Sequence, residues 1–234
     1  MGSRRQFDLY LRSFSSPVKG LLITLEGIDG SGKSTAARLI ATKLQEFAPR
    51  CKIILTAEPT RGVAGRILKA QLSKPGESEP SIARRMEELF LFMADHADQL
   101  ERLIYPALNE GAIIISDRYA DSTAAYQGVT LQGIVPDPLQ WIRDIYGPWN
   151  RLPDKTLLFS LDPAVALQRM QSRPEREKFE RLEFLREVDK NFRRLVALEP
   201  ERFVIIDASQ KAEDVAGQAQ KQILELLNRP GPRV

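Results

Sequence analysis

The run Gly27-Ile-Asp-Gly-Ser-Gly-Lys-Ser34 directly follows the apolar stretch Leu21-Leu-Ile-Thr-Leu25. It fits G-x-x-x-x-G-K-[ST], a phosphate-binding loop, in the strand-then-helix setting that the pattern requires. The chain is thereby committed to an α/β unit at its start. Glycines let the backbone wrap closely, so that successive amide N–H groups face a triphosphate. The helix that follows adds the positive end of its dipole. Lys33 would reach the β- and γ-phosphates, and the Ser34 hydroxyl would ligate a bridging magnesium. A glycine-rich turn without a ligand is the plainer alternative, but spacing, strand and Lys-Ser pair together point to a nucleoside triphosphate site.

A length of 234 residues suits one α/β domain or two small ones, and 43% hydrophobic residues suffice for a core. Aromatic residues at 7% are few for a nucleic-acid stacking platform, and no nucleic-acid partner is expected. The formal charge of +3 leaves anionic ligands open. A single cysteine, Cys51, excludes an intramolecular disulfide and suits a reducing, cytoplasmic setting. It opens a predicted strand and reads as a buried structural thiol. With one histidine besides, little is available for zinc. No apolar run approaches the ~20 residues of a membrane span. Residues 1–19 carry Arg4, Arg5, Arg12 and Lys19 among serines and read as a disordered basic tail, with a transit peptide as the alternative. Gln6 stands where a myristoylation motif wants Ser or Thr.

Short apolar runs predict strands at Leu21–Leu25, Lys52–Thr56, Ala112–Ser116, Lys155–Leu161 and Phe203–Ile206, each buried on both faces. Helical patterns occupy Ser34–Phe47, Ile82–Asn109, Pro138–Ile145, Ala164–Gln171, Phe179–Leu198 and Ala212–Leu227. Pro106 should kink or interrupt the second of these. Alternation of this kind implies a parallel sheet covered by helices on both sides, with ligands at the carboxyl ends of its strands. One domain is expected over residues 20–228, with a mobile insert at about 170–180 and a short tail at 229–234.

Asp117-Arg118-Tyr119 ends the third strand at that edge. Asp117 there can hold magnesium or its water, and Arg118 can clamp a second phosphate. An N-cap aspartate with a surface arginine is the alternative. Arg169, Arg173, Arg176 and Lys178 crowd a segment rich in acids, which reads either as a solvated charged helix or as a closing basic lid. Because positions 29–31 are Asp-Gly-Ser, the phosphate loop has no cation before Lys33, and the lid is the obvious donor of charge. Phe92 and His96 share a helix face and could stack on a base and bond its edge. Pattern alone favours core packing for Phe92 and a cap or surface role for His96.

Gly27–Thr35, Glu58-Pro59-Thr60, Asp117-Arg118-Tyr119 with Ser122 and Ala125-Tyr126-Gln127-Gly128, and Leu157–Leu161 followed by Asp162-Pro163 and Arg169 together resemble the thymidylate kinase family. The resemblance runs from about Gly20 to Leu227, and the long Asp-Arg-Tyr stretch is its most specific part. It implies a three-layer αβα P-loop NTPase fold, with a five-stranded parallel sheet and a mobile basic lid, and transfer of the ATP γ-phosphate to dTMP. Carried over, Gly27, Ile28, Asp29, Gly30, Ser31, Gly32, Lys33, Ser34, Thr35 and Arg169 would hold ATP, and Ser34 and Asp117 the magnesium. Asp29, Glu58, Phe92, His96, Arg118, Ser122, Tyr126 and Gln127 would hold the acceptor, with Phe92 stacked on thymine and Arg118 on the phosphate. Lys33, Asp117, Arg173 and Arg176 would act in catalysis, as in the branch whose arginines lie in the lid. A homodimer built through helices is also implied.

Two positions depart from the family pattern. His96 stands where an arginine usually reads the thymine carbonyl edge, and Ala57 where an arginine usually helps bind the acceptor phosphate. These keep open a kinase for another nucleoside monophosphate or a deoxynucleoside. A non-catalytic nucleotide-binding module is a further alternative.

Overall fold

In the computed structural model, residues 20–73, 80–171 and 181–227 are described. The expected tails and the lid residues Arg173, Arg176 and Lys178 lie outside them. Strands β1 (Leu21–Glu26), β2 (Ile53–Ala57), β3 (Ile113–Asp117), β4 (Lys155–Ser160) and β5 (Phe203–Asp207) form one five-stranded sheet in the order β2-β3-β1-β4-β5. All pairings are parallel. The chain leaves β1 toward the β2 edge and leaves β4 toward the β5 edge. The loop after β1 therefore sits where the winding reverses, the usual crevice for a ligand in an open parallel sheet.

Burial separates the strands as their positions demand. The inner strands β1, β3 and β4 are almost wholly buried, whereas β2 and β5 at the edges alternate with exposed positions such as Leu55 and Ile205. Burial on both faces thus holds for three strands and fails at the edges, which have a neighbour on one side only.

The helices are α1 (Lys33–Phe47), α2 (Val63–Leu72), α3 (Ile82–Gln99), α4 (Tyr105–Asn109), α5 (Ala120–Thr130), α6 (Pro138–Tyr146), α7 (Pro163–Gln171), α8 (Leu182–Leu198) and α9 (Ala212–Leu227). Two of them, α2 and α5, have no counterpart in the sequence reading. Helix α5 is buried from Ala120 to Gly128, so its small residues show no apolar stripe. Helix α2 is short and buries only Gly65 and Leu68. The long pattern ending at Asn109 is interrupted ahead of Pro106. Over Leu100–Ile104 the helix widens into a π-turn, with the Tyr105 N–H donating to Leu100 O, and α4 then continues through Pro106. A wider turn accommodates a residue that lacks an N–H and whose ring crowds the preceding turn. Cys51 is half-buried just ahead of β2, with burial raising its thiol pKa.

A buried ion pair fastens α5 to the far side of the sheet. Arg202, just before β5, grips the Asp121 carboxylate with both terminal nitrogens, one at 2.9 Å, and also donates to Thr156 and Glu199. Arg202→Met strands Asp121 without its counter-ion and is expected to lower stability by about 3–5 kcal/mol. Urea unfolding of the variant beside wild type measures this, and a change under ~1 kcal/mol would contradict it.

Candidate active site

The phosphate loop is shaped by backbone that side chains cannot follow. Gly27 and Gly30 have φ of 138° and 81°, and a Cβ at either would lie 2.6 Å from Phe159 O or 2.5 Å from Ala166 O. The loop therefore packs flush on β4 and α7. Lys33 is buried and folds back on the loop, donating to Ile28 O at 2.8 Å and Ser31 Oγ at 3.3 Å. Burial, helped by nearby Arg118, pulls its pKa down to about 8.

A cavity of about 580 Å³ touches the loop at Ser34 alone, and two others hold most of the expected site residues. The larger of these two, about 440 Å³, is lined by Asp29, Glu58, Phe92, Arg118, Ser122 and Tyr126 among others. The smaller, about 230 Å³, is lined by Ser31, Gly32, Thr35, Arg169 and Gln210 at the mouths of α1 and α9. Arg169 donates to Ala208 O at 3.1 Å, tying α7 to the loop after β5. Of the loop residues expected on ATP, Asp29 and Ser34 line the larger cavity, while Ser31, Gly32 and Thr35 line the smaller.

In the wall of the larger cavity, Ser34 Oγ donates to Asp117 Oδ2, and Asp117 Oδ1 is buried with no hydrogen-bond partner among the described residues. Helix α5 starts after Tyr119 with no side-chain cap, so Asp117 is not spent on capping it. One carboxylate and one hydroxyl suit magnesium, which keeps most of its water. Among the described residues no group of three or more His, Cys, Asp or Glu gathers as a denser metal site would need.

Arg118 stands in the left-handed region with φ 72°, a conformation that costs a non-glycine residue about 1 kcal/mol or more. Its N–H donates to Leu25 O at 3.0 Å and its carbonyl accepts from Ser116 Oγ at 2.7 Å, which hold the turn in place. The guanidinium pairs with Asp29, reaches Ser122 Oγ at 3.1 Å and lies 5.1 Å from the Tyr126 ring centroid. Burial opposes its charge, but Asp29 and its neighbours override that and raise its pKa well above the ordinary value. Tyr126 Oη accepts from the Asp29 amide at 2.9 Å and donates to the Asp29 carboxylate at 2.8 Å. Beneath them Ser122 donates to Glu26, whose carboxyl is held well above the usual carboxylate range by burial and by Asp121.

Two expected acceptor contacts are not brought to the cavity. Gln127 is buried, with Nε2 on Glu88 at 2.9 Å and Oε1 accepting from Thr130 at 2.8 Å. His96 is buried too and holds Glu58 and Asn150 with its two ring nitrogens, so neither a cap, a surface role nor a base contact describes it here. Burial draws its pKa down and the Glu58 carboxylate more than reverses this, leaving it raised. Phe92 is half-buried and lines the cavity, so core packing alone does not account for it. The reading of the sequence missed Thr123, Lys69 and Leu72, which also line this cavity. Lys69 and Leu72 belong to the overlooked helix α2, and neither carries a motif that would have marked it.

Residues 25–219 match the family described as thymidylate kinase. The chain is 45% identical over 215 residues to a probable thymidylate kinase of Methanosarcina acetivorans, covering 91% of this chain and 99% of that protein. It is 41% identical over 207 residues to a probable thymidylate kinase of Halobacterium salinarum, covering 88% and 97%. A nucleotide phosphoryl donor and small nucleotide substrates accord with a phosphate loop set between two cavities. On fold, site and sequence together, this chain belongs to the thymidylate kinase family.

Proposed function

We propose that the chain transfers the γ-phosphate of ATP to the 5′-phosphate of dTMP, giving dTDP and ADP. The observation that carries this reading is the pair of cavities flanking one phosphate loop, which lets a donor and an acceptor approach from opposite sides. In this reading ATP lies along Gly27–Thr35 with its base toward Arg169. The acceptor lies in the larger cavity, its base against Phe92 and its phosphate on Arg118. An acceptor phosphate oxygen bonds to the γ-phosphorus as the bond to the β,γ-bridging oxygen breaks, and ADP departs with those electrons. Magnesium on Ser34 and Asp117 supplies charge neutralisation across the phosphates. Lys33 swings from its loop to the transferring group, and Arg173 or Arg176 closes over it.

Ala57 leaves a gap where the family has an arginine. Beside it a further cavity of about 580 Å³ is lined by Arg38, Arg61 and Lys69. Lys69 lines the acceptor cavity as well and forms no ion pair among the described residues. It is placed to add the missing charge on the acceptor phosphate.

The test is magnesium-ATP turnover, followed as ADP release, against dTMP, dUMP, UMP, CMP, dCMP and dGMP. A kcat/KM for dTMP at least ten-fold above the others is expected, since unpaired buried polar groups penalise a mismatched base by about that much or more. Preference for another monophosphate would reassign the acceptor. ATP binding without any transfer would leave a binding module.

We also infer a homodimer acting in the cytoplasm. The exposed apolar side chains Val63 and Ile67 of α2 and Ile82 and Phe90 of α3, two helices packed on each other, support a dimer face. Sedimentation equilibrium at micromolar concentration that returned only monomer would count against it. No helix of the described residues is long and apolar enough to cross a membrane. Membrane-bound activity on cell fractionation would contradict the location.

A further inference from the structure

Helix α3 is laced to the extension of β2 through three side chains. Gln99 Nε2 donates to Thr56 Oγ1 at 2.8 Å, and His96 Nδ1 meets Glu58 Oε1 at 2.7 Å. Asp95 accepts from the Thr60 amide at 2.6 Å and from the Thr60 hydroxyl. Thr56 lies in β2, and Glu58 and Thr60 lie in the bend that follows it, and all three meet α3. Asp95, His96 and Gln99 answer them from neighbouring positions on the helix. Every helix-side member is buried, Asp95, His96 and Gln99 at 1%, 0% and 4% exposure. The His96–Glu58 rung is therefore closed to solvent and the rungs at Thr56 and Thr60 are half-buried, so that an unmade bond at the centre is costly.

Its position matters for the acceptor. Glu58 and Pro59 line one wall of the larger cavity, and Phe92, one turn before His96, lines it from α3. The ladder thus sets the spacing between a wall and the ring proposed to stack on the base. His96 is its central rung and is anchored from behind as well. Its Nε2 meets Asn150 Oδ1 at 2.9 Å, and its ring sits 4.4, 5.1 and 5.5 Å from those of Tyr119, Tyr146 and Trp149. Both nitrogens are engaged by the protein, and no face of the ring reaches the cavity.

We infer that His96 is a positioning residue for the acceptor, fixing Glu58 and the wall opposite Phe92 through the Asp95–His96–Gln99 ladder, and that it does not read the base edge. This rests on the proposed acceptor site. It gives the residue that replaces the family's arginine a different task on the same helix turn.

The two amide isosteres of histidine separate the roles in the full-length protein. In His96→Asn the amide nitrogen falls near Nδ1 and keeps the bond to Glu58, whereas in His96→Gln it falls near Nε2 and keeps the bond to Asn150. The expected result is a dTMP KM within about three-fold of wild type for His96→Asn and about ten-fold higher for His96→Gln, with kcat changed less than about three-fold in both. The ratio of kcat/KM for dTMP over dCMP should stay unchanged in both. A loss of that discrimination in both variants alike, restored by His96→Arg, would overturn the inference in favour of base reading. Equal dTMP KM in the two variants would overturn it as well. Asn150→Ala, which frees the rear of the ring without touching the cavity, should raise the dTMP KM by about three-fold at constant kcat, and no change would again count against positioning. The same order in dTMP dissociation constants, measured by calorimetry, needs no turnover. It keeps failure of this inference apart from failure of the kinase reading, which wild-type turnover of dTMP tests by itself.

Discussion

Arg118→Met is expected to lower kcat/KM for dTMP by about two to three orders of magnitude, the scale seen when a charged group aimed at a reacting site is removed. Two effects act together. The acceptor phosphate loses its clamp, and Asp29 loses the guanidinium it pairs with beside the phosphate loop. A guanidinium has five donors, so Arg118 can hold Asp29 and Ser122 and still turn N–H groups toward a phosphate. A lysine at the same place is a point charge that cannot bridge all three, and Arg118→Lys should recover only part of the loss. Lys69→Met gives the scale for a cation with no ion pair among the described residues, and a fall of about ten-fold is expected there. Steady-state kinetics with dTMP varied at saturating ATP measures each variant. A loss under ten-fold in Arg118→Met would remove Arg118 from the acceptor phosphate.

Arg173→Ala with Arg176→Ala is expected to lower kcat by about 10³–10⁵, the range associated with an arginine supplied to a transferring phosphoryl group. Within the phosphate loop Lys33 stands alone as a cation, and Asp29, Gly30 and Ser31 before it contribute none. Lys33 is also partly committed, with its ammonium on Ile28 O and its pKa drawn down to about 8. Charge on the transition state must then come from elsewhere in the chain, and the 169–178 segment carries four cations, Arg169, Arg173, Arg176 and Lys178. Single-turnover rates at saturating ATP and dTMP, with ATP affinity measured in parallel, separate transfer from binding. Unchanged single-turnover rates would move the duty to Lys33 and Arg118.

How much of this was legible in the sequence depended on whether a residue's role is local. The phosphate loop is read from spacing alone, because its glycines, lysine and serine act within eight consecutive positions. The inner strands β1, β3 and β4 were legible because a strand buried on both faces is a continuous apolar run, and the edge strands β2 and β5 kept enough apolar residues to show although one face is partly exposed. Helix α5 was not, since burial all round removes the periodicity that marks a helix. That one loss hid Thr123, while overlooking α2 hid Lys69. The surroundings of His96 were hidden for a different reason. Its spacing from Phe92 places both on α3 but cannot tell which way the ring turns, and that is settled by Glu58 and Asn150, distant in the chain. Asp117 gained from the same kind of information. Its two readings parted only once Ser34 was seen to donate to it and α5 to begin without it.

The order β2-β3-β1-β4-β5 also has a consequence for how the chain is made. The central strand β1 emerges first from the ribosome, yet its neighbour β4 follows much later; the contact between Leu22 and Asp154 spans 132 residues. At roughly 5–20 residues per second of synthesis, one flank of β1 waits on the order of ten seconds for its partner. During that interval Leu22, Ile23 and Leu25, all fully buried in the finished protein, belong to a sheet that is still open on one side. Until β4 is made, that apolar flank is open to wrong partners, and the sheet closes at the pace of translation of the second half.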